Sequence, residues 1–515
     1  MAPSISTAEQ QAAHFSKDGE LVTASGEVIN ASGHVQELRR QYSLWTLCGV
    51  AVVIGDCWAL MGGSIVIALY NGGAPGVLYE FIVSGFFLLF VTASLAELAS
   101  AIPSSAGVYQ WATVTAGRFG RIVGYYAGYM NYWAWQVAGS GMALIIGKLI
   151  VQLWALYHEN YEMQRWHVFI TVLLVAWGSC AVILFANRWL TWVTQGFFWF
   201  VAIGWLISFL VVVIMAGKGG RQYASSDFVW KDWENDTGYT SNGLVFLTGM
   251  LNGAFCMETP DAITHLSEEV ARPNRNIPIA MFVQMVSSYV TTIIYMIVAF
   301  YGISDIDLVF TTSANSPITE IYRQATGSIA GATGLSVVLL LPLVGSSIGT
   351  FLTVSRMFWT LARDRAVPFS GVFSKVNPTF GVPVNSIIFC GIVATILDCI
   401  YLGNTTAFSA LGDSFAILLS LSYLLAILPF LLHGRSNVTP GPFFIKGALG
   451  WVVGTVSSVY LSVMIVFYAF PFELPVTAEN MNYSSLIVGA FVIIPGIYWI
   501  FIIKAYTGPP THIPI

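Results

Sequence analysis

Twelve mostly apolar runs follow one another between Trp45 and Ala505, each of the length, about 20 residues, that crosses a hydrocarbon core roughly 30 Å thick. They lie near 45–70, 77–102, 122–150, 168–188, 192–216, 242–265, 278–302, 331–359, 385–402, 407–432, 446–470 and 484–505, and are numbered spans 1 to 12. In lipid the backbone must satisfy its own hydrogen bonds, so runs this long fold as helices. The expectation is an all-α integral membrane protein in direct contact with the lipid bilayer. Composition agrees: 9% of residues are charged, against roughly 25% in a soluble domain.

The same composition narrows function. A net charge of -5, dispersed along the chain, offers no nucleic acid a binding surface. The six cysteines fall in apolar segments without CxxC or metal-ligand spacing. No nucleophile–base pair, histidine cluster or phosphate-binding loop occurs between the spans, so the chain does not read as an enzyme and calls for no cofactor or metal.

Topology follows from the basic residues. With the N-terminus inside, fifteen of the 21 Lys and Arg face the cytosol, among them Arg39, Arg40, Arg118, Arg121, Arg272, Arg356, Arg363 and Arg435. Six face outward: Lys148, Arg165, Lys218, Arg221, Lys231 and Arg323. Both termini are expected in the cytosol, with 1–43 a polar, disordered tail, 44–505 the helical domain and 506–515 a short tail. The segment 316–327, which starts Ser-Pro, is expected to form a short helix that covers the outer mouth.

Two spans are interrupted. Span 1 contains Gly55-Asp56-Cys57-Trp58-Ala59, and span 6 contains Cys256-Met257-Glu258-Thr259-Pro260-Asp261. From Trp45, Asp56 lies about 16 Å along a helix, near mid-bilayer. Acids and uncoiled backbone at that depth require a protein-enclosed, hydrated cavity. Interrupted spans at matching places in two halves mark a transporter's substrate site.

Three further segments carry a resemblance. Glu97-Leu-Ala-Ser-Ala-Ile-Pro-Ser-Ser-Ala-Gly-Val-Tyr-Gln-Trp111, Asp261-Ala-Ile-Thr-His-Leu-Ser-Glu-Glu-Val-Ala-Arg-Pro-Asn-Arg-Asn-Ile-Pro278 and Thr353-Val-Ser-Arg-Met-Phe-Trp-Thr-Leu-Ala-Arg-Asp-Arg-Ala-Val-Pro368 resemble signatures of the amino acid–polyamine–organocation superfamily. The match is to its fungal amino acid/choline transporter family, which includes choline and γ-aminobutyrate permeases. This resemblance implies a leucine-transporter-type fold of 5+5 spans in inverted repeat, with helices 1 and 6 broken. Repeat one would cover 44–216, repeat two 242–432, and two peripheral helices 446–505. It also implies a secondary active transporter at the plasma membrane, with a proton rather than sodium as the co-transported ion.

The residues at the breaks define a candidate site. Gly55, Asp56, Cys57, Trp58 and Ala59 would meet the substrate from span 1, and Cys256, Met257, Glu258 and Thr259 from span 6. Free N–H groups of Cys57 to Ala59 suit a carboxylate, and free carbonyls of Cys256 to Thr259 suit an ammonium. Asp56 favours a cation, and aromatic faces at Trp58, Tyr132, Trp133 and Trp135 suit a quaternary ammonium. Choline or another amine therefore fits better than a neutral amino acid. The competing reading has Asp56 and Glu258 bonded to free backbone, and most of Tyr125–Trp135 in helix packing; Asn131, Tyr132 and Trp135 are the candidates to face the cavity.

For coupling, Ser346, Ser347 and Thr350 of span 8 would complete a sodium site against span 1, or serve as ordinary packing contacts. Asp56, Glu258 or Asp261 would carry a proton instead. Glu97, Glu268, Glu269, Arg118, Arg356 and Arg363 would form an ionic inner gate, or merely fix topology. A transporter-like nutrient sensor is the competing class. It would call for a long signalling tail, whereas only Ala505–Ile515 follows Lys504. Within transport, a γ-aminobutyrate or polyamine permease remains open.

Overall fold

The computed structural model describes residues 14–15, 21–22, 28–29 and 34–509, apart from 70, 159, 312–315, 479 and 507. Eleven helices among them are long and apolar enough to cross a membrane. Span 6 is the twelfth, and it falls short as a continuous helix because it is interrupted: Asn242–Met257 (6a, 16 residues) gives way to a 3-10 stretch, Ala262–Glu269 (6b). Span 1 is likewise split into Leu44–Ile54 (1a) and Cys57–Leu69 (1b). Both interruptions fall where the sequence placed them. The chain is a multi-pass, almost entirely helical membrane protein.

The other spans are continuous, and their lengths repeat. Span 2, Gly73–Ala101, and span 7, Pro273–Tyr301, each have 29 residues. Span 3, Gly120–Ala155, has 36 and span 8, Ile329–Arg363, has 35. Span 4, Arg165–Phe185, has 21 and span 9, Val384–Gly403, has 20. Span 5, Leu190–Met215, has 26 and span 10, Thr405–Leu432, has 28. Five crossings are an odd number, so the second half begins on the opposite face from the first, which makes the repeat inverted. Spans 11 and 12, Gly447–Phe467 and Ser484–Ile502, follow outside it.

Local chemistry sets the ends. Ser43 caps 1a reciprocally with Thr46, and the Asn404 side chain accepts from the Ala407 amide at the start of span 10. Pro273 opens span 7, where a missing N–H costs nothing. Between spans 2 and 3 lies the short helix Val108–Thr115. Its counterpart between spans 7 and 8 includes Pro317–Thr326, the short helix expected over 316–327.

Burial ranks the spans. Spans 1 and 8 are 72% buried, whereas spans 5 and 12 are 22% and 17% buried. The latter present Trp199, Ile203, Ile500 and Phe501 outward, as lipid-facing helices do. The central pair is therefore the one carrying the first break and its span 8 partner.

The described segments that flank the first and last spans, 34–43 and 503–506, lie on one face, called the basic face below. Arg121 at the start of span 3 donates to the carbonyls of Ile503 and Tyr506, both at 2.6 Å. Of the stretch expected to be a disordered tail, 34–43 is packed on this face, with Leu38 and Tyr42 buried. His14–Phe15, Leu21–Val22 and Val28–Ile29 pair as a small antiparallel sheet. The rest of 1–33, and 510–515 of the short C-terminal tail, lie outside the described residues.

Candidate functional site

The interruption in span 1 frees the carbonyls of Ile54 and Gly55, and hydroxyls from two other spans meet them. Ser346 of span 8 donates to Ile54 O at 3.0 Å, and Ser288 of span 7 donates to Gly55 O. One helical turn before Ser288, Gln284 donates to the backbone carbonyl (3.0 Å) and hydroxyl (2.8 Å) of Thr259 in the span 6 break. The same amide lies against Gly55: a Cβ there would come within 2.4 Å of Gln284 Nε2. Span 7 thus holds both breaks at once, and Gly55 is the residue that lets it.

Between the breaks is a small cavity, lined by Ile54, Asp56, Leu60, Trp135, Ala138, Met142, Phe255, Cys256, Thr259, Thr350 and Phe415. Its accessible volume of about 30 Å³ accommodates a water or two, so this is a closed conformation of the site. The aromatic wall is continuous. Phe415 meets Trp135 and Phe255 edge-on, with ring centroids 6.0 and 5.7 Å apart.

Three acids surround this region and differ sharply. Asp56 stands at the N-cap position of 1b and faces the Ala59 amide, yet neither carboxylate oxygen makes a hydrogen bond of normal geometry. Asp261 is fully engaged. It accepts from Asn131 (2.6 Å) and Trp135 (3.2 Å) of span 3 and from the Tyr423 hydroxyl of span 10, and His265 Nε2 is 3.5 Å away. Glu258 accepts from Ser420 of span 10 at 2.6 Å through one oxygen, while the other has no partner.

The remaining candidates divide between the cavity and its walls. Asp56, Trp135, Cys256, Thr259 and Thr350 line the cavity. Asn131 reaches the site through Asp261. Cys57 is buried with its thiol turned to Cys256, Ala59 is buried behind it, and Met257 sulfur packs against Gly85 of span 2. Trp58 points away, edge-on to Tyr295 and against span 5 at Gly204. Tyr132 packs against Phe358, and Trp133 stacks on Phe491 of span 12. The aromatic contribution to the cavity therefore comes from Trp135, Phe255 and Phe415. In span 8, Ser347 pairs with Ser179 of span 4 at 3.0 Å and Thr350 donates to Ser346 O at 2.9 Å, so only Ser346 meets the broken span 1 backbone.

At the basic face the charged residues pair off. Arg356 bonds Glu269 at 2.8 Å and Arg363 bonds Glu268 at 2.8 Å, all four buried or nearly so at their side chains. Glu97 pairs with Arg435 rather than with any of the arginines expected to join it, while Arg118 lies exposed over the ring of Phe119. The 34–43 segment joins this layer. Gln41 donates to Glu269 Oε2 (2.7 Å), Gln36 donates to Glu268 O (2.6 Å), and His34 lies 2.9 Å from Asp364. Burial raises the Glu37 carboxyl above the usual range, opposed by the nearby Arg363 guanidinium and reinforced by Glu268. Gln284, Ser288, Ser420, Tyr423, Arg435 and Gln41 all belong to the surroundings of the breaks or the inner layer, and none was expected there from sequence, where Arg435 counted only toward topology. The one available signal was their polarity inside, or just beside, apolar spans.

Comparison with known proteins adds a lineage to this geometry. A family model described as amino acid permease matches residues 42–493. A choline transporter from Saccharomyces cerevisiae is 29% identical over 480 residues, 92% of this chain and 83% of the relative. An amino-acid permease from Arabidopsis thaliana is 26% identical over 510 residues, covering 96% and 98%. A polyamine transporter from Saccharomyces cerevisiae is 26% identical over 455 residues, covering 87% and 72%.

Proposed function

Since this chain belongs to the amino acid permease family, and is a membrane transporter and not an enzyme, we propose that it carries a small amine of the choline type by proton-coupled alternating access. The substrate would lie between the two breaks, its cationic head against Asp56 and the faces of Trp135, Phe255 and Phe415. The observation that carries this reading is the Asp56 carboxylate on the cavity wall, which faces the Ala59 amide and has no cation beside it. A buried acid with no protein cation beside it is stabilised by a cationic ligand, and aromatic faces hold quaternary ammonium well. The α-carboxylate of an amino acid would instead approach Asp56 as a like charge. The relative named as a choline transporter points the same way.

Both termini would be cytosolic, with the basic face inward and the protein at the plasma membrane. The closed cavity is too small for choline, so admission requires the aromatic wall and at least one half-helix to move. Glu268, Glu269, Arg356 and Arg363 would then form the inner gate. Ser346, whose hydroxyl already serves Ile54 O, supports packing over a sodium site.

The test is radiolabelled uptake in permease-deficient yeast, comparing choline, γ-aminobutyrate, neutral amino acids and spermidine at pH 5 and pH 7, with and without sodium. The expected result is choline uptake stronger at pH 5 and indifferent to sodium, abolished by Asp56→Asn with surface expression intact. Undiminished choline uptake in that variant would remove Asp56 from the site.

A further inference from the structure

Span 2 carries an acid that the substrate site does not use. Glu80 is buried to 1% exposure and neither carboxylate oxygen has a hydrogen-bond partner. It is pressed against half-helix 6a, which ends at the second break. A Cβ built on Gly249 of 6a would fall 2.2–2.4 Å from the Glu80 carboxyl atoms, and one built on Gly253 would fall 3.1 Å from Ser84 Cβ. Two glycines one turn apart on 6a thus seat that half-helix on two polar residues one turn apart on span 2. Small residues at such a contact admit close approach of helices, but they do not explain why a carboxyl stands there.

Among the described residues no cation pairs with Glu80. Span 11 contributes Tyr460, 3.3 Å from the Ser84 hydroxyl, and Tyr468, 3.0 Å from Tyr460. Span 7 contributes Tyr289, whose hydroxyl donates to Ile82 O. Beyond the end of 6a lies Glu258, within electrostatic reach of both span 11 tyrosines. The short helix Ser226–Trp230 brings Asp227, which is paired at the surface with Lys231 at 2.7 Å.

We propose that Glu80 is the proton-binding residue of the coupling mechanism: protonated and neutral while 6a lies closed on span 2, and ionised when water reaches it from the basic face. The proton adds to a carboxylate oxygen from water at the face opposite the basic one. It leaves to water again once the conformational change exposes the carboxyl to the other side. Unpaired ionised carboxylates in hydrocarbon are strongly disfavoured, so closure of 6a selects the protonated form and loading of the proton favours closure. This rests on the proton-coupled reading above and names the residue through which coupling runs.

The test uses full-length protein in proteoliposomes. With radiolabelled choline, an imposed gradient of one pH unit and the membrane potential clamped at zero by valinomycin and equal potassium, one proton per substrate yields about tenfold accumulation. Glu80→Gln is expected to lose that accumulation while keeping choline exchange across the membrane without a gradient, and Glu80→Asp to restore part of it. Gradient-driven accumulation at the wild-type level in Glu80→Gln would overturn the proposal. So would loss of exchange with choline binding intact, or accumulation driven by sodium and indifferent to pH. Infrared difference spectra of wild type against Glu80→Gln at pH 7 provide a readout independent of the substrate: the protonated carboxyl C=O band should be present in wild type alone. Its absence overturns the assignment even if choline is the wrong solute. Its presence with no choline transport would indict the substrate reading instead.

Discussion

Asp56 and Asp261 are aspartates of similar burial, one beside each break, with opposite surroundings. Asp261 gathers Asn131, Trp135 and Tyr423 from two other spans, so its charge is part of what positions spans 3 and 10 around the break. Asp56 gathers no hydrogen bond of normal geometry. Neutralising them should therefore have opposite effects on stability. Asp261→Asn replaces acceptors by an amide that cannot serve all three donors, and leaving buried donors unmet costs about 1–3 kcal/mol. Asp56→Asn removes a buried carboxyl that no protein cation accompanies, so the substrate-free protein should melt at the same temperature or higher. Thermal unfolding in detergent, followed by size-exclusion chromatography, checks both. A lower melting temperature for Asp56→Asn would show that its carboxylate holds the backbone open instead of awaiting a ligand.

At the scale of elements, the joint between the breaks is span 7, and its fit to Gly55 is testable. A methyl at Gly55 would collide with the Gln284 amide at 2.4 Å, and overpacking of a tight contact costs roughly 1–3 kcal/mol. Gly55→Ala should lower uptake and thermal stability together, and adding Gln284→Ala should recover part of the stability because the colliding group is gone. Additive losses in the double variant would show that the two residues are not in contact. The breaks themselves were legible in the sequence because Gly-Asp and Glu-Thr-Pro-Asp cannot continue an apolar helix. The same logic found the helix at Pro317–Thr326, where a proline follows a serine. Gln284 and Ser288 were not legible as a clamp. A glutamine and a serine inside a span read as ordinary packing, and nothing in sequence says that 284 meets 55 and 259. Trp58 and Tyr132 were misdirected for a related reason: their helices are buried on nearly every side, so periodicity carries no phase to tell cavity from packing. Phe255 and Phe415, which do face the cavity, were hidden among the many phenylalanines of apolar runs.

For the whole molecule, the closed cavity and the paired basic face would be one state of the alternating-access cycle proposed above. The two buried ion pairs bridge 6b and span 8, so in the proposed cycle an opening toward the basic face would break them. Arg356 meets Glu269 through Nε, and its two terminal nitrogens have no partner. Breaking a buried pair by removing one member is destabilising by about 3–5 kcal/mol, and in this molecule that cost falls on the closed state. Arg356→Ala should accordingly speed modification of Cys256 by a thiol reagent applied from the basic face, in protein whose other cysteines are serine. An unchanged rate would remove the pair from gating.

The 34–43 segment adds a pH dependence to this layer, and its sign follows from Glu37. Burial raises that carboxyl when the segment is docked, with Arg363 opposing and Glu268 assisting. A carboxyl raised on docking binds its proton more tightly docked than free. Docking is thus strongest below the ordinary carboxylate range and weakens as pH rises through that range to the raised value. Above it the penalty is constant. A maleimide reacting with Leu38→Cys, in a Cys399→Ser background, should label the segment faster relative to the same protein carrying Glu37→Gln as pH rises through this window. The comparison at each pH cancels the reagent's own pH dependence. A flat ratio would mean that Arg363 keeps Glu37 ionised in both states, and the inner layer would then respond to pH only through the spans beneath it.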